Sequence, residues 1–106
     1  MEAQINPAKL LGYIPTRYLQ NSKITQYSIP DNITDIGGAA FNDCENLTTI
    51  NIPNSVKSID AYGFYDCNNL TDITLNTGLI SIGDFAFRDC NKLSKIVLPD
   101  TVEYIG

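Results

Sequence analysis

The chain has 106 residues, of which 43% are hydrophobic and 18% charged, a composition that suits one domain with its own buried core. Seven basic against twelve acidic residues leave a net charge of −5, which excludes nucleic-acid backbones and anionic membranes as natural partners because both repel it. The chain holds no histidine, and no run approaches the ~20 apolar residues of a membrane span, so neither the common catalytic triads nor a transmembrane anchor is expected.

Self-comparison gives a period of 23 residues, against which the chain is read coil by coil. The amino terminus, Met1-Glu2-Ala3-Gln4-Ile5-Asn6-Pro7, lacks a basic stretch followed by an apolar run. No secretory signal is therefore expected, and a cytoplasmic location follows, with an extracellular one left open. Residues 1–23 fit the period in degenerate form: Pro7 takes a proline column, Leu10 and Tyr13 second-wall columns, Tyr18 a phenylalanine column and Asn21 a cysteine column. They are expected to form an atypical capping coil that shields the core of the first full coil. Complete units then run over 24–46, 47–69 and 70–92, and a partial one over 93–106.

Within the units the first, fourth and sixth positions are apolar: Ile24, Tyr27 and Ile29; Leu47, Ile50 and Ile52; Leu70, Ile73 and Leu75; Leu93, Ile96 and Leu98. Alternation between the last two of these is the period of a strand with one face buried. Pro30, Pro53 and Pro99 follow, ending ladder pairing at the same place because proline has no N–H; Asn76 stands there in the third unit. A second apolar pair faces inward from the opposite wall: Ile33 and Ile36, Val56 and Ile59, Leu79 and Ile82, Val102 and Ile105. A turn at Gly37, Asp60, Gly83 or Gly106 leads to Phe41, Phe64 and Phe87 and, three residues on, to Cys44, Cys67 and Cys90. That spacing predicts one short helical turn per coil.

Units of the form L-T-T-I-N-I-P-N-S-V-K-S-I-D-A-Y-G-F-Y-D-C-N-N resemble the BspA-type leucine-rich repeat, well over 24–106 and weakly over the first 23 residues. The resemblance implies a repeat solenoid, mainly β, wound as a right-handed coil with a parallel sheet along one face. It also implies a role in adhesion or protein–protein recognition.

The residues that could carry chemistry are mostly explained by the repeat. Cys44, Cys67 and Cys90 are spaced by the period itself, which stacks them ~4.8 Å apart as a buried thiol column. A zinc site would want close ligand pairs and a fourth ligand, and the odd count argues against disulfides. Asp43, Asp66 and Asp89, with Glu45, form either an acidic stripe suited to a cation or basic partner, or a column that serves local turns. No phosphate-binding glycine loop or nucleophile elbow occurs, so no enzyme, cofactor or metal is expected.

What remains is surface. Positions three and five of the first strand form a candidate concave face of Gln26, Ser28, Thr49, Asn51, Asp72, Thr74, Lys95 and Val97. A candidate corner carries Tyr62, Tyr65, Phe85 and Arg88, residue types that anchor interfaces, with Ile80 and Tyr104 as weaker hints of the same kind. About five coils give a sheet ~22 Å long and ~13 Å wide, roughly 300 Å² in plan, whereas a stable interface needs roughly 800 Å² per partner. The concave face alone is too small. The partial last coil predicts a third surface, end-to-end homodimerisation or docking through residues 93–106, with Leu93, Ile96, Leu98, Tyr104 and Ile105 at the contact. The sequence thus reads as a non-catalytic recognition module for a protein partner. The alternatives are a self-assembling structural unit or a small acidic inhibitor that occludes a basic site.

Overall fold

The computed structural model describes residues 7–93 and 96–106, with the backbone alone at Tyr104 and Ile105. It opens with helix α1 (Pro7–Leu11), where proline presets φ at a position whose missing N–H costs nothing. Gly12 ends the helix at φ 83°, a left-handed cap that closes its N–H on the Ala8 carbonyl at 2.8 Å. Ala8 is fully buried, so the helix lies over the end of the core.

Short strands follow: β1 (Asp35–Ile36), β2 (Thr49–Asn51), β3 (Ser58–Ile59), β4 (Asp72–Thr74), β5 (Ser81–Ile82) and β6 (Tyr104–Ile105). On the first wall β2 and β4 pair in parallel, with Thr49 opposite Asp72 and Asn51 opposite Thr74. On the second wall the order is β1-β3-β5-β6, again parallel, and Ile36, Ile59 and Ile82 stand side by side in it. The expectation of a parallel sheet along one face is therefore corrected: ladders run on two walls, and the second wall carries the larger one. An unbroken column of β-branched isoleucine favours extended backbone there, whereas the first-wall column begins at Tyr27 and the described residues of 24–29 and 96–98 lie outside any strand.

The expected helical turn is also corrected. From Gly37 to Cys44 the backbone alternates its partners. The N–H groups of Ala40, Asn42 and Cys44 close back on the carbonyls of Gly37, Ala39 and Phe41 at 3.2, 3.1 and 3.3 Å. Those of Ala39, Phe41 and Asp43 cross to Ala61, Gly63 and Tyr65 in the next coil at 3.0, 2.8 and 2.8 Å. A helix would return every N–H along its own chain; here every second one links two coils, and α1 is the only helix among the described residues. The pattern repeats from Tyr62, Phe64 and Asp66 to Asp84, Ala86 and Arg88.

Backbone geometry shifts the register read for the first coil. Ile14 bridges Ile36, an offset of one residue less than the period, and is fully buried, whereas Leu10 and Tyr13 are exposed. Leu19 donates to Ala40 as Phe41 does to Gly63, and Arg17 and Asn21 share the left-handed φ of Ala39 and Asp43. Leu19, not Tyr18, therefore occupies the phenylalanine column, and Ser22, not Asn21, the cysteine column. A single-residue deletion within the coil accounts for the slip, which no column of residues 1–23 reveals because all are degenerate.

The core is built from columns. Phe41, Phe64 and Phe87 stack with centroids 5.0 and 5.4 Å apart and ring planes within 2°, and Tyr27 tilts onto Phe41 at 5.6 Å. Leu47, Leu70, Ile33, Val56 and Leu79 fill the rest of the interior, all fully buried. Asn76, the one residue off the proline column, is buried because its amide donates to the carbonyls of Pro53 and Val56 at 2.6 and 3.1 Å. Its own oxygen accepts from the Gly78 N–H, so the buried amide is paired on both sides.

Candidate functional site

The scaffold hands most of its reactive groups to structure. Cys44, Cys67 and Cys90 are free and buried, and each thiol donates to a carbonyl of the preceding coil, that of Leu19, Phe41 or Phe64, at 3.1 Å. Burial pushes the Cys44 thiol from 9.0 up to about 11, and the adjacent Cys90 thiol together with burial pushes Cys67 up as well. The Cys44 and Cys67 thiols, held this firmly in the protonated form, are poor nucleophiles and poor metal ligands, whereas the hydrogen bond with Cys67 lowers the buried Cys90 thiol. Among the described residues no three metal-ligating side chains converge.

The aspartate column also has a backbone reason. Asp43, Asp66 and Asp89 sit at φ 61°, 62° and 61°, the left-handed region that aspartate tolerates better than most residues. The column serves the turn through its own backbone conformation. Glu45, grouped with it in the sequence, lies 3.9 Å from the Lys23 ammonium in an exposed pair.

The first-strand face is open and shallow. Gln26, Ser28, Thr49, Asn51, Asp72 and Thr74 are all exposed, and Val97 is 70% exposed; Lys95 lies outside the described residues. Gln26, Ser28, Thr49 and Asn51 line a depression of about 240 Å³, and Asp72, Thr74 and Val97 line another of about 590 Å³ with Pro99. These depressions are edged by hydroxyls, amides and one carboxylate, and Tyr27 brings one aromatic ring to the smaller of them. At residues 93–106, Leu93 and Ile96 are half-buried and Leu98 is exposed, while the side chains of Tyr104 and Ile105 lie outside the description.

The corner is different, because its side chains form one contiguous group. Tyr62 packs edge-on against Tyr65 at 5.3 Å and tilts against Phe85 at 5.5 Å. The Arg88 guanidinium lies over the Phe85 ring, 5.1 Å from its centroid, at cation–π distance. Tyr62 and Phe85 remain 42% and 46% exposed. Both also have left-handed backbone, at φ 61° and 58°, which costs a residue with a bulky side chain roughly 1–2 kcal/mol. The same column holds Arg17 and Ala39 in the earlier coils, so the turn itself asks for no aromatic ring.

One feature of the surface escaped the sequence reading. The larger sheet on the second wall presents Asp35, Ser58 and Ser81 outward, and the Ser58 hydroxyl donates to the Asp35 carboxylate. Asp60 lies beside this row, and partial burial raises its carboxyl above the usual range, with the Asp35 charge adding and the Ser58 hydrogen bond offsetting. The alternation of these outward residues with the isoleucine column was the signal available for it.

Comparison with known proteins places this geometry. The description "BspA type Leucine rich repeat region" matches residues 12–106, in six copies. Among solved structures, a leucine-rich repeat protein of T. pallidum is 28% identical, with a TM-score of 0.79 over 99% of this chain and 50% of its own. A leucine-rich cell surface protein of Faecalibacterium prausnitzii is 27% identical, with a TM-score of 0.74 over 79% of this chain and 22% of its own. A leucine-rich repeat protein of Bacteroides ovatus is 28% identical, with a TM-score of 0.61 over 85% of this chain and 29% of its own. The chain thus spans at most half the length of these relatives. No curated protein matches it. The expectation of a cytoplasmic protein finds no support here, since one relative is described as a cell surface protein; among the described residues no helix is long and apolar enough to cross a membrane.

Proposed function

Because the chain belongs to the BspA-type leucine-rich repeat family, we propose that it is a non-catalytic recognition module that binds a protein partner through the corner of Tyr62, Tyr65, Phe85 and Arg88. The winding is taken as right-handed, as the family resemblance implies, and the place of action as the cell surface, by analogy with the relative so described. One observation carries the reading. Tyr62 and Phe85 hold exposed rings on left-handed backbone, at positions where Ala39 satisfies the same turn. Local strain kept at an exposed site without a folding requirement points to a use outside the fold. Aromatic residues and arginine are also the side chains that concentrate binding energy at interfaces.

The first-strand face supports a weaker case, since its depressions are shallow and polar. A photoreactive phenylalanine analogue in place of Tyr65, compared with the same analogue in place of Asn51, tests the assignment in the cells that make the protein. The reading expects a protein adduct from the Tyr65 position and none from Asn51. An adduct formed only from Asn51 would move recognition to the first-strand face and overturn it.

A further inference from the structure

The charges around the aromatic corner specify its partner more closely. One coil runs from Asp60 through Tyr62 to Tyr65 and Asp66, and the next from Asp84 through Phe85 to Arg88 and Asp89, so carboxylates precede and follow the rings in both. Four carboxylates stand against the single guanidinium of Arg88 along these two stretches. The coils are joined side by side, Tyr62 N–H to the Asp84 carbonyl at 2.9 Å and Asp66 N–H to the Arg88 carbonyl at 2.8 Å. Aspartates therefore flank the aromatic strip along the chain in both coils. Arg88 already shows what fits a ring here, because its guanidinium covers Phe85. Tyr62, half exposed one coil back, offers a second ring with acidic residues before and after it in the chain.

We infer that this corner binds a basic segment of the partner protein, an exposed stretch rich in arginine or lysine that lays a cationic side chain on Tyr62 beside Arg88 and pairs its neighbours with Asp60 and Asp84. The inference rests on the corner being the recognition surface. Two physical effects act together. The ring face attracts the cation at short range, and the flanking aspartates, within a chain of net charge −5, raise the local concentration of basic segments before contact. An acidic or purely apolar segment meets the flanking carboxylates and gains neither effect. Arginine is favoured over lysine, because its planar guanidinium stacks on rings and pairs with carboxylates in a fork.

The test uses short fluorescent peptides on the whole chain: an arginine-rich one, a glutamate-rich one and a neutral glycine-serine one. Their affinity is measured by anisotropy at about 50 mM salt and again at about 300 mM, where exposed charge pairs are largely screened. The arginine peptide is expected to bind, and to bind less well at the higher salt. Tyr62→Ala with Phe85→Ala is expected to weaken it about tenfold, and Asp60→Asn with Asp84→Asn several-fold. Phe85→Tyr keeps a ring and should retain binding, which separates loss of contact from loss of fold. Asp31→Asn with Asp72→Asn removes the same charge from elsewhere and should change the affinity by less than about twofold. Three results would overturn the inference: no binding of the arginine peptide, equal loss with both aspartate pairs, or binding indifferent to the two rings. Preference for the glutamate or neutral peptide through the same rings would also overturn it, while leaving the corner as a recognition surface. Protein adducts that form only at Asn51 would instead remove the surface itself.

Discussion

At the residue scale, the chain separates side chains that the turn requires from side chains it merely accommodates. Gly37 belongs to the first kind: a Cβ there would meet the Ile14 carbonyl oxygen and the Thr16 nitrogen at 2.6 Å, and both are backbone atoms that cannot step aside. The aspartates at φ near 61° belong to it too, and Tyr62 and Phe85 do not. The cysteine column was legible in the sequence because its spacing equals the period, but the acceptors of its thiols were not, since they depend on how the coils step. The Cys44 thiol gives a signed pH test. Its proton is held more firmly in the folded chain, from 9.0 to about 11, so its contribution is fully present below pH 9 and is lost as the unfolded thiol ionises above it. Compared with Cys44→Ala, the wild-type chain should lose up to about 3 kcal/mol of stability between pH 9 and pH 11 in chemical denaturation. Parallel pH curves for the two chains would show that burial does not hold the proton.

At the scale of elements, the apolar columns of both walls, and with them the core, were legible because isoleucine and leucine recur at fixed positions, but the ladder on the second wall was not, since one sheet along one face was expected. The turn segment was not legible. A spacing of three between phenylalanine and cysteine fits a helix and equally fits a run of isolated turns, and only inter-coil bonding by every second N–H decides between them. The degenerate first coil hid its one-residue slip for a related reason: without an aromatic or cysteine marker, Tyr18 and Leu19 are interchangeable on paper. The phenylalanine stack gives this scale its prediction. Phe64 is fully buried between two parallel rings, whereas Phe87, among the described residues, has a ring on one side and is half-buried. Phe64→Ala should cost about 3–5 kcal/mol and Phe87→Ala distinctly less, measured by urea denaturation. Equal costs would mean that the stack does not stabilise the fold rung by rung.

At the scale of the molecule, the repeat accounts for nearly every conspicuous residue, so function is sought in what the repeat leaves unexplained. The corner was legible as residue types and as a place, but not as a connected group. The contacts among Tyr62, Tyr65, Phe85 and Arg88 arise from the stacking of two coils and from left-handed backbone that no periodicity announces. Because Arg17 and Ala39 occupy the same column, the aromatic pair can be removed without touching the core. Asparagine suits left-handed backbone, so relief of strain worth roughly 1–2 kcal/mol at each position offsets the lost ring contacts, worth roughly 0.5–1.5 kcal/mol. The central claim, that the corner serves recognition and not folding, is tested most directly by partner retention on Tyr62→Asn with Phe85→Asn, read beside the melting temperature of the same protein. The account predicts a Tm within about 5 °C of wild type together with loss of the retained partner. Undiminished retention at an unchanged Tm would contradict it.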